Sequence, residues 1–197
     1  MCVALILLHI RKKREYFGAA KPRFLNEKFS GADRGTAVHK FLEICDFKKA
    51  FENLEEEKNR LRIQCLITDE ELRVIDNKAV ESFFSSGVGS RLLSSDEILK
   101  EYEFAILKNA GELYSDLPEN AKEEKIVIQG KLDCAFKESD GYVLIDYKTD
   151  NVTDEAHFVS VYKNQLRIYA DALYQCTEIP VKETYIYSFK LQKFIKL

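Results

Sequence analysis

The sequence predicts an α/β fold, a mixed central sheet flanked by helices, and three observations carry that prediction. Residues 126–150, IVIQGKLDCAFKESDGYVLIDYKTD, read as a β-hairpin: Lys125 to Lys137 alternates and is rich in β-formers, Glu138-Ser139-Asp140-Gly141 is turn chemistry, and Tyr142 to Thr149 is a second β-rich run. Thr153 to Cys176 is the longest helical pattern, with Phe158, Val161, Tyr162, Leu166, Tyr169 and Leu173 on one side. Val181 to Phe189 alternates as a further strand, and Lys193 to Leu197 adds a short last one. Strands, then a helix, then strands again indicate a mixed sheet with helices against it.

The bulk numbers set the frame. A chain of 197 residues, 46% hydrophobic and 32% charged, is large enough to bury a core as one domain and is not a disordered polymer. The net charge of −3 is unusual for a protein that holds nucleic acid, so any such contact is local or helped by a partner. Five cysteines at positions 2, 45, 65, 134 and 176 form no CxxC pair. They read as reduced thiols of a cytoplasmic protein, and their spacing argues against a zinc ribbon or an iron-sulfur cluster.

The chain opens on MCVALILLHI followed by Arg11-Lys12-Lys13-Arg14. That is too short for a bilayer span, and its charges lie on the wrong side for a secretory signal. Residues 1–20 therefore read as an apolar and basic extension, the cut edge of a longer protein, and 21–197 as a single domain. Asp33 to Glu43 looks like a helix start, with Val38, Leu42 and Cys45 at helical spacing and His39 in its first turns. Residues 46–99 read as charged helices, FKKAFENLEEEKNRLRIQC and TDEELRVIDNKAVESFFSS, the second opened by a Thr68 cap with Glu71 three residues on. Glu101 to Leu107 reads as a strand, and Gly111 to Glu124 as a polar loop.

The chemistry concentrates on the hairpin. With a four-residue loop Lys137 faces Tyr142, and counting back along both strands sets Asp133 opposite Asp146. Cross-strand Cβ atoms lie about 4.5 to 5.5 Å apart, where like charges destabilise each other. A hard divalent cation would compensate, because Mg²⁺ is commonly held by one or two carboxylates. Lys148 shares the face of Asp146, so the set is acid, acid, ammonium, the parts needed to hydrolyse a phosphodiester. The plainer alternative is a solvated hairpin face, but Asp146 closes the apolar run Tyr142-Val143-Leu144-Ile145, where an unpaired charge is costly. Gln165 and Tyr169, four apart, share one helical face. A lone histidine is more often a packed or surface residue than a ligand, and His39 gains weight only because the hairpin offers a metal site short of ligands; Glu101 could orient or ligate near that site, but an edge-strand glutamate is its plain reading.

GTAVH at 35–39, EYEF at 101–104, GKLD at 130–133, DYKT at 146–149 and QLRIY at 165–169 together resemble the RecB-type branch of the PD-(D/E)xK nucleases. The resemblance is strong to the C-terminal nuclease domain of the AddA chains of bacterial AddAB helicase-nucleases, where KPRFL at 21–25 and FFSSGVGSRLL at 83–93 also match. It implies a restriction-endonuclease-like sheet over 21–197. It also implies a metal held by His39, Asp133, Asp146 and the Tyr147 carbonyl, Lys148 as the catalytic lysine, Gln165 and Tyr169 near the DNA, and Glu101 in support. The implied cofactor is Mg²⁺, with Mn²⁺ or Ca²⁺ able to occupy the site, and no Fe-S cluster. The implied setting is a bacterial cytoplasm, where an exonuclease acts on a single-stranded DNA end in double-strand break repair and recombination. Its implied partners are AddA helicase domains and an AddB-like subunit, with no membrane. No GxxxxGK[ST] phosphate loop occurs, so this chain is not expected to hydrolyse ATP. A non-catalytic DNA- or partner-binding module that keeps the nuclease fold is the competing expectation.

Overall fold

The computed structural model describes residues 31–113 and 116–197; the expectations on MCVALILLHI, on the basic cluster at 11–14 and on KPRFL lie outside the described residues. Five strands form one mixed sheet in the order β1 (Ile98–Asn109), β2 (Lys125–Glu138), β3 (Gly141–Lys148), β4 (Val181–Ser188) and β5 (Lys193–Lys196). All neighbours are antiparallel except β3 and β4. A parallel pair needs a crossover, and the long helix α9 (Glu155–Thr177) supplies it. Asp154 caps the start of α9 by accepting from the Ala156 amide, and Glu178 ends it in the left-handed region at φ 60°.

One face of the sheet is covered by α1 (Gly31–Ile44) and five short helices, α2 (Phe47–Glu52), α3 (Leu54–Ile63), α4 (Asp69–Arg73), α5 (Asn77–Ser85) and α6 (Gly87–Leu93). The two long helices expected in this stretch are broken at Asn53 and Asp76, each of which caps the helix that follows it, and the second ends near its expected limit at Ser86, which caps α6. A side-chain acceptor satisfying free helical amides competes with helix continuation, and here the cap wins. The Thr68–Glu71 capping box is present in both directions. The polar stretch after β1 contains two single turns, α7 (Ala110–Leu113) and α8 (Glu119–Lys122).

Phe83 is the hub of the core on this face. It makes ring contacts with Phe47, Phe84, Tyr147, Tyr187 and Phe194 at centroid distances of 5.0 to 6.4 Å. Gly89 is obligatory here, because a Cβ would lie 2.1 Å from the Phe83 carbonyl. The opposite face is covered by α9, whose Phe158, Leu166 and Leu173 are buried against Leu132, Ala135, Leu144 and Ile186. Val161, expected on that apolar side, is 50% exposed. It stands one position off the Phe158–Tyr162 row, so the buried stripe of α9 is narrower than the sequence pattern suggested.

Candidate metal and phosphodiester site

The register places the two aspartates as the sequence predicts. β2 and β3 pair Lys137↔Tyr142 through Cys134↔Ile145, so Asp133 and Asp146 follow as the next opposed positions. The ladder stops just short of them. In its place Asp133 Oδ2 accepts a 2.7 Å hydrogen bond from the Tyr147 amide.

The pleat breaks at this point. β1 and β2 pair Lys100↔Cys134 and Tyr102↔Leu132, but the intervening Glu101 and Asp133 do not pair, and Glu101 has φ 45°. Across the break the strands exchange faces: Cys134 and Phe136 pack under the short helices, whereas Leu132 packs under α9. A non-glycine residue in the left-handed region costs of order 1–3 kcal/mol and persists where surroundings over-determine it. Here the strain turns Glu101 from an edge-strand position toward the interior of the site.

His39 reaches this break from α1. A Cβ on Gly35, one turn earlier, would lie 2.9 Å from Thr149 Oγ1, so the helix passes closely over the end of β3. Lys100 Nζ, 3.6 Å from the centre of the Phe47 ring, donates to the Cys45 carbonyl at the far end of α1 and holds that end as well. The His39 Nδ1 atom sits 3.3 Å from Glu101 Oε1 and 3.2 Å from Asp133 Oδ1. Its ring packs edge-on to Tyr147 at 5.7 Å. Among the described residues, His39, Glu101 and Asp133 are the group whose ligand-type atoms all lie within 4.8 Å of one another.

Asp146 stands beside that group and is answered separately. Its Oδ2 lies 2.5 Å from Lys148 Nζ, and its Oδ1 accepts from Gln165 Nε2 at 3.4 Å. Gln165 also donates to the Tyr169 hydroxyl at 2.9 Å, so the two residues predicted to share a face of α9 form one unit over Asp146. Tyr162, which the sequence pattern marked only as an apolar position, also stands at the site, with Lys148 Nζ 4.4 Å from its ring centre. Nothing in the spacing of Tyr162 separates it from a core tyrosine; only its distance from Lys148 does.

The electrostatics follow from this pairing. Burial opposes a charge on His39, but the adjacent Asp133 and Glu101 carboxylates outweigh it and raise the imidazole pKa to about 10. Burial likewise opposes charge on Asp133, yet the His39 hydrogen bond and charge hold it below the ordinary carboxylate range. Asp146 is pushed up by burial and by the neighbouring Asp133 charge, against the pull of Lys148. The two aspartates are thus one coupled system whose charges are met by two different cations.

The donor set suits a hard divalent cation. One imidazole and two carboxylates converge, with the buried Asp146 carboxylate beside them, its Oδ2 in an ion pair with Lys148 but without an aligned hydrogen bond. The nearby thiols are poor ligands, since Cys45 and Cys134 are buried and their pKa values are pushed up to about 12.

The model of the PD-(D/E)XK nuclease superfamily matches residues 9–193. The chain is 40% identical over 182 residues to an ATP-dependent helicase/nuclease subunit of Clostridium botulinum (strain Kyoto / Type A2), covering 90% of this chain and 14% of that protein. It is 37% identical over 182 residues to the protein of the same name from Alkaliphilus oremlandii, covering 89% of this chain and 15% of that one. The chain thus spans about one seventh of the length of these curated relatives. The crystal structure of SSO0001 is a distant likeness, with 16% identity, 71% of this chain and 59% of that chain covered, and a TM-score of 0.36. With the sheet, the aspartate pair and the lysine in place, and a family model matching nearly its whole length, the chain belongs to the PD-(D/E)XK nuclease superfamily.

Proposed function

We propose that the chain is the nuclease module of a larger helicase-nuclease, a Mg²⁺-dependent deoxyribonuclease that trims a single-stranded DNA end during double-strand break repair in a bacterial cytoplasm. The observation that carries this reading is the convergence of His39, Glu101 and Asp133 at a break in the sheet, directly beside the Asp146–Lys148 pair. His39 Nδ1, Glu101, Asp133 and Asp146 would hold the cation, joined by the Tyr147 carbonyl, whose own amide is tied to Asp133. Bound Mg²⁺ would polarise the phosphoryl oxygen and lower the pKa of an attacking water. Lys148 orients that water and offsets charge developing on the phosphate. Gln165 holds the Asp146 carboxylate in place and Tyr169 holds Gln165. No described helix is long and apolar enough to cross a membrane. The larger assembly, with helicase domains and an AddB-like partner, accords with the name and length of the relatives and would deliver the strand to a chain whose net charge is −3.

A second reading, a binding module that keeps the fold without catalysis, is favoured by one observation. The site neutralises itself, with Asp133 and Glu101 against His39, and Asp146 against Lys148. Incubation of single-stranded DNA with the chain and Mg²⁺ decides between them. Cleavage that stops with a chelator and with Asp146→Ala supports the nuclease; DNA binding without cleavage supports the module.

A further inference from the structure

We propose that Tyr162 is a positioning residue for Lys148, holding the ammonium over its ring so that the lysine stays at the reacting phosphate when Asp146 is engaged by a cation. The proposal rests on the nuclease reading above. Lys148 Nζ has two close neighbours of opposite character, the Asp146 carboxylate at 2.5 Å and the face of Tyr162 at 4.4 Å from the ring centre. The carboxylate cannot serve both purposes. A divalent cation on Asp146 takes up its negative charge and repels the ammonium, so an Asp146–Lys148 ion pair weakens just when the lysine is needed. An aromatic face attracts a cation through its quadrupole, carries no net charge and does not bind the metal, so it holds the ammonium in either state.

The ring is itself fixed from two directions. The Tyr162 hydroxyl donates to Asp150 Oδ2 at 2.6 Å, on the segment just beyond Lys148. Phe158, fully buried one turn earlier on α9, stacks with it at 6.1 Å and an interplanar angle of 29°. Gln165, three residues on, is bound to Asp146, so the same helical face fixes both neighbours of the ammonium. A tyrosine needed only for packing would satisfy the core with Phe158 and Leu166; the hydroxyl anchor and the lysine above the ring are extra.

The test has two arms in the full 197-residue chain. In the first, lysines are reductively ¹³C-methylated, which keeps them cationic, and the Lys148 signal is identified by its loss in Lys148→Arg. It is expected upfield in the parent, to remain so in Tyr162→Phe, and to move to the ordinary lysine position in Tyr162→Leu. In the second, Mg²⁺-dependent cleavage of single-stranded DNA is expected to lose about tenfold in kcat at unchanged KM in Tyr162→Leu, with at most about a two- to threefold loss in Tyr162→Phe and unchanged divalent affinity in both. A melting temperature for each variant separates these effects from misfolding. A Lys148 signal that does not respond to Tyr162→Leu, or equal losses in Phe and Leu, overturns the proposal. Absence of cleavage by the parent overturns the nuclease reading instead, and with it this role, while the first arm still reports whether the ring holds the ammonium.

Discussion

The two faces of the sheet are built on different principles. Under the short helices lies a thick aromatic core centred on Phe83, which sends one residue, His39, to the site and supports it through Tyr147. The other face carries a single helix, α9, with a narrow buried stripe, and from it Tyr162, Gln165 and Tyr169 all reach the site. The thick layer holds the aromatic core and carries His39 beside Glu101 and Asp133. The thin layer brings Tyr162 and Gln165 directly against Lys148 and Asp146 at the strand ends. Stability and chemistry should therefore respond to different substitutions.

The largest effect belongs to Asp133, which lies between the two faces and touches both His39 and the Tyr147 amide. Asp133→Ala should abolish divalent binding in calorimetry and reduce cleavage by about 10³ or more, beyond the loss of a single transition-state donor. Retained metal binding would move the centre of the site elsewhere. Phe83→Ala tests the thick face: truncating a fully buried phenylalanine should cost about 3–5 kcal/mol in denaturant unfolding, while cleavage per folded molecule, measured in the cold, changes far less. An equal collapse of both properties would erase the distinction between the faces.

Lys148→Ala tests the thin face. It removes none of the proposed ligands but takes away the ammonium paired with Asp146, so on the nuclease reading cleavage should fall about 10² to 10³-fold while divalent binding survives. Cutting at the parental rate would leave a metal-stabilised hairpin as the better account. A smaller effect concerns pH. With its pKa raised to about 10 in the metal-free protein, His39 carries a proton throughout the neutral range. A ligating imidazole must lose it. Apparent Mg²⁺ affinity should thus rise with pH, by up to about tenfold per unit below that pKa, with proton release visible as a buffer-dependent heat. A pH-independent affinity across the neutral range would remove His39 from the ligand set. The smallest effect is local to the thick face: Thr68→Ala breaks the capping box of α4 and should cost about 1 kcal/mol with no change in cleavage.

Local physics governs what is legible in the chain alone. Period-two alternation and a tight turn set the hairpin register, which makes Asp133 and Asp146 opposed residues without reference to any other part of the fold. Helical spacing foretells α9 and the Gln165–Tyr169 pair, and side-chain capping foretells the Thr68–Glu71 box. The caps at Asn53 and Asp76 obey the same rule but are hidden inside long polar stretches that also suit helix interiors. The remaining features of the site come from the assembled fold. Glu101 reads as an edge-strand residue until the unpaired Glu101–Asp133 step, with φ 45° at Glu101, turns it inward. Asp133 and Asp146 read as one metal pair until His39, from a helix far earlier in the chain, and Lys148 divide them. Tyr162 reads as core until Lys148 lies over it. Each of these depends on strain or on contacts between chain segments far apart in sequence, and neither leaves a mark in the periodicity of the residues involved.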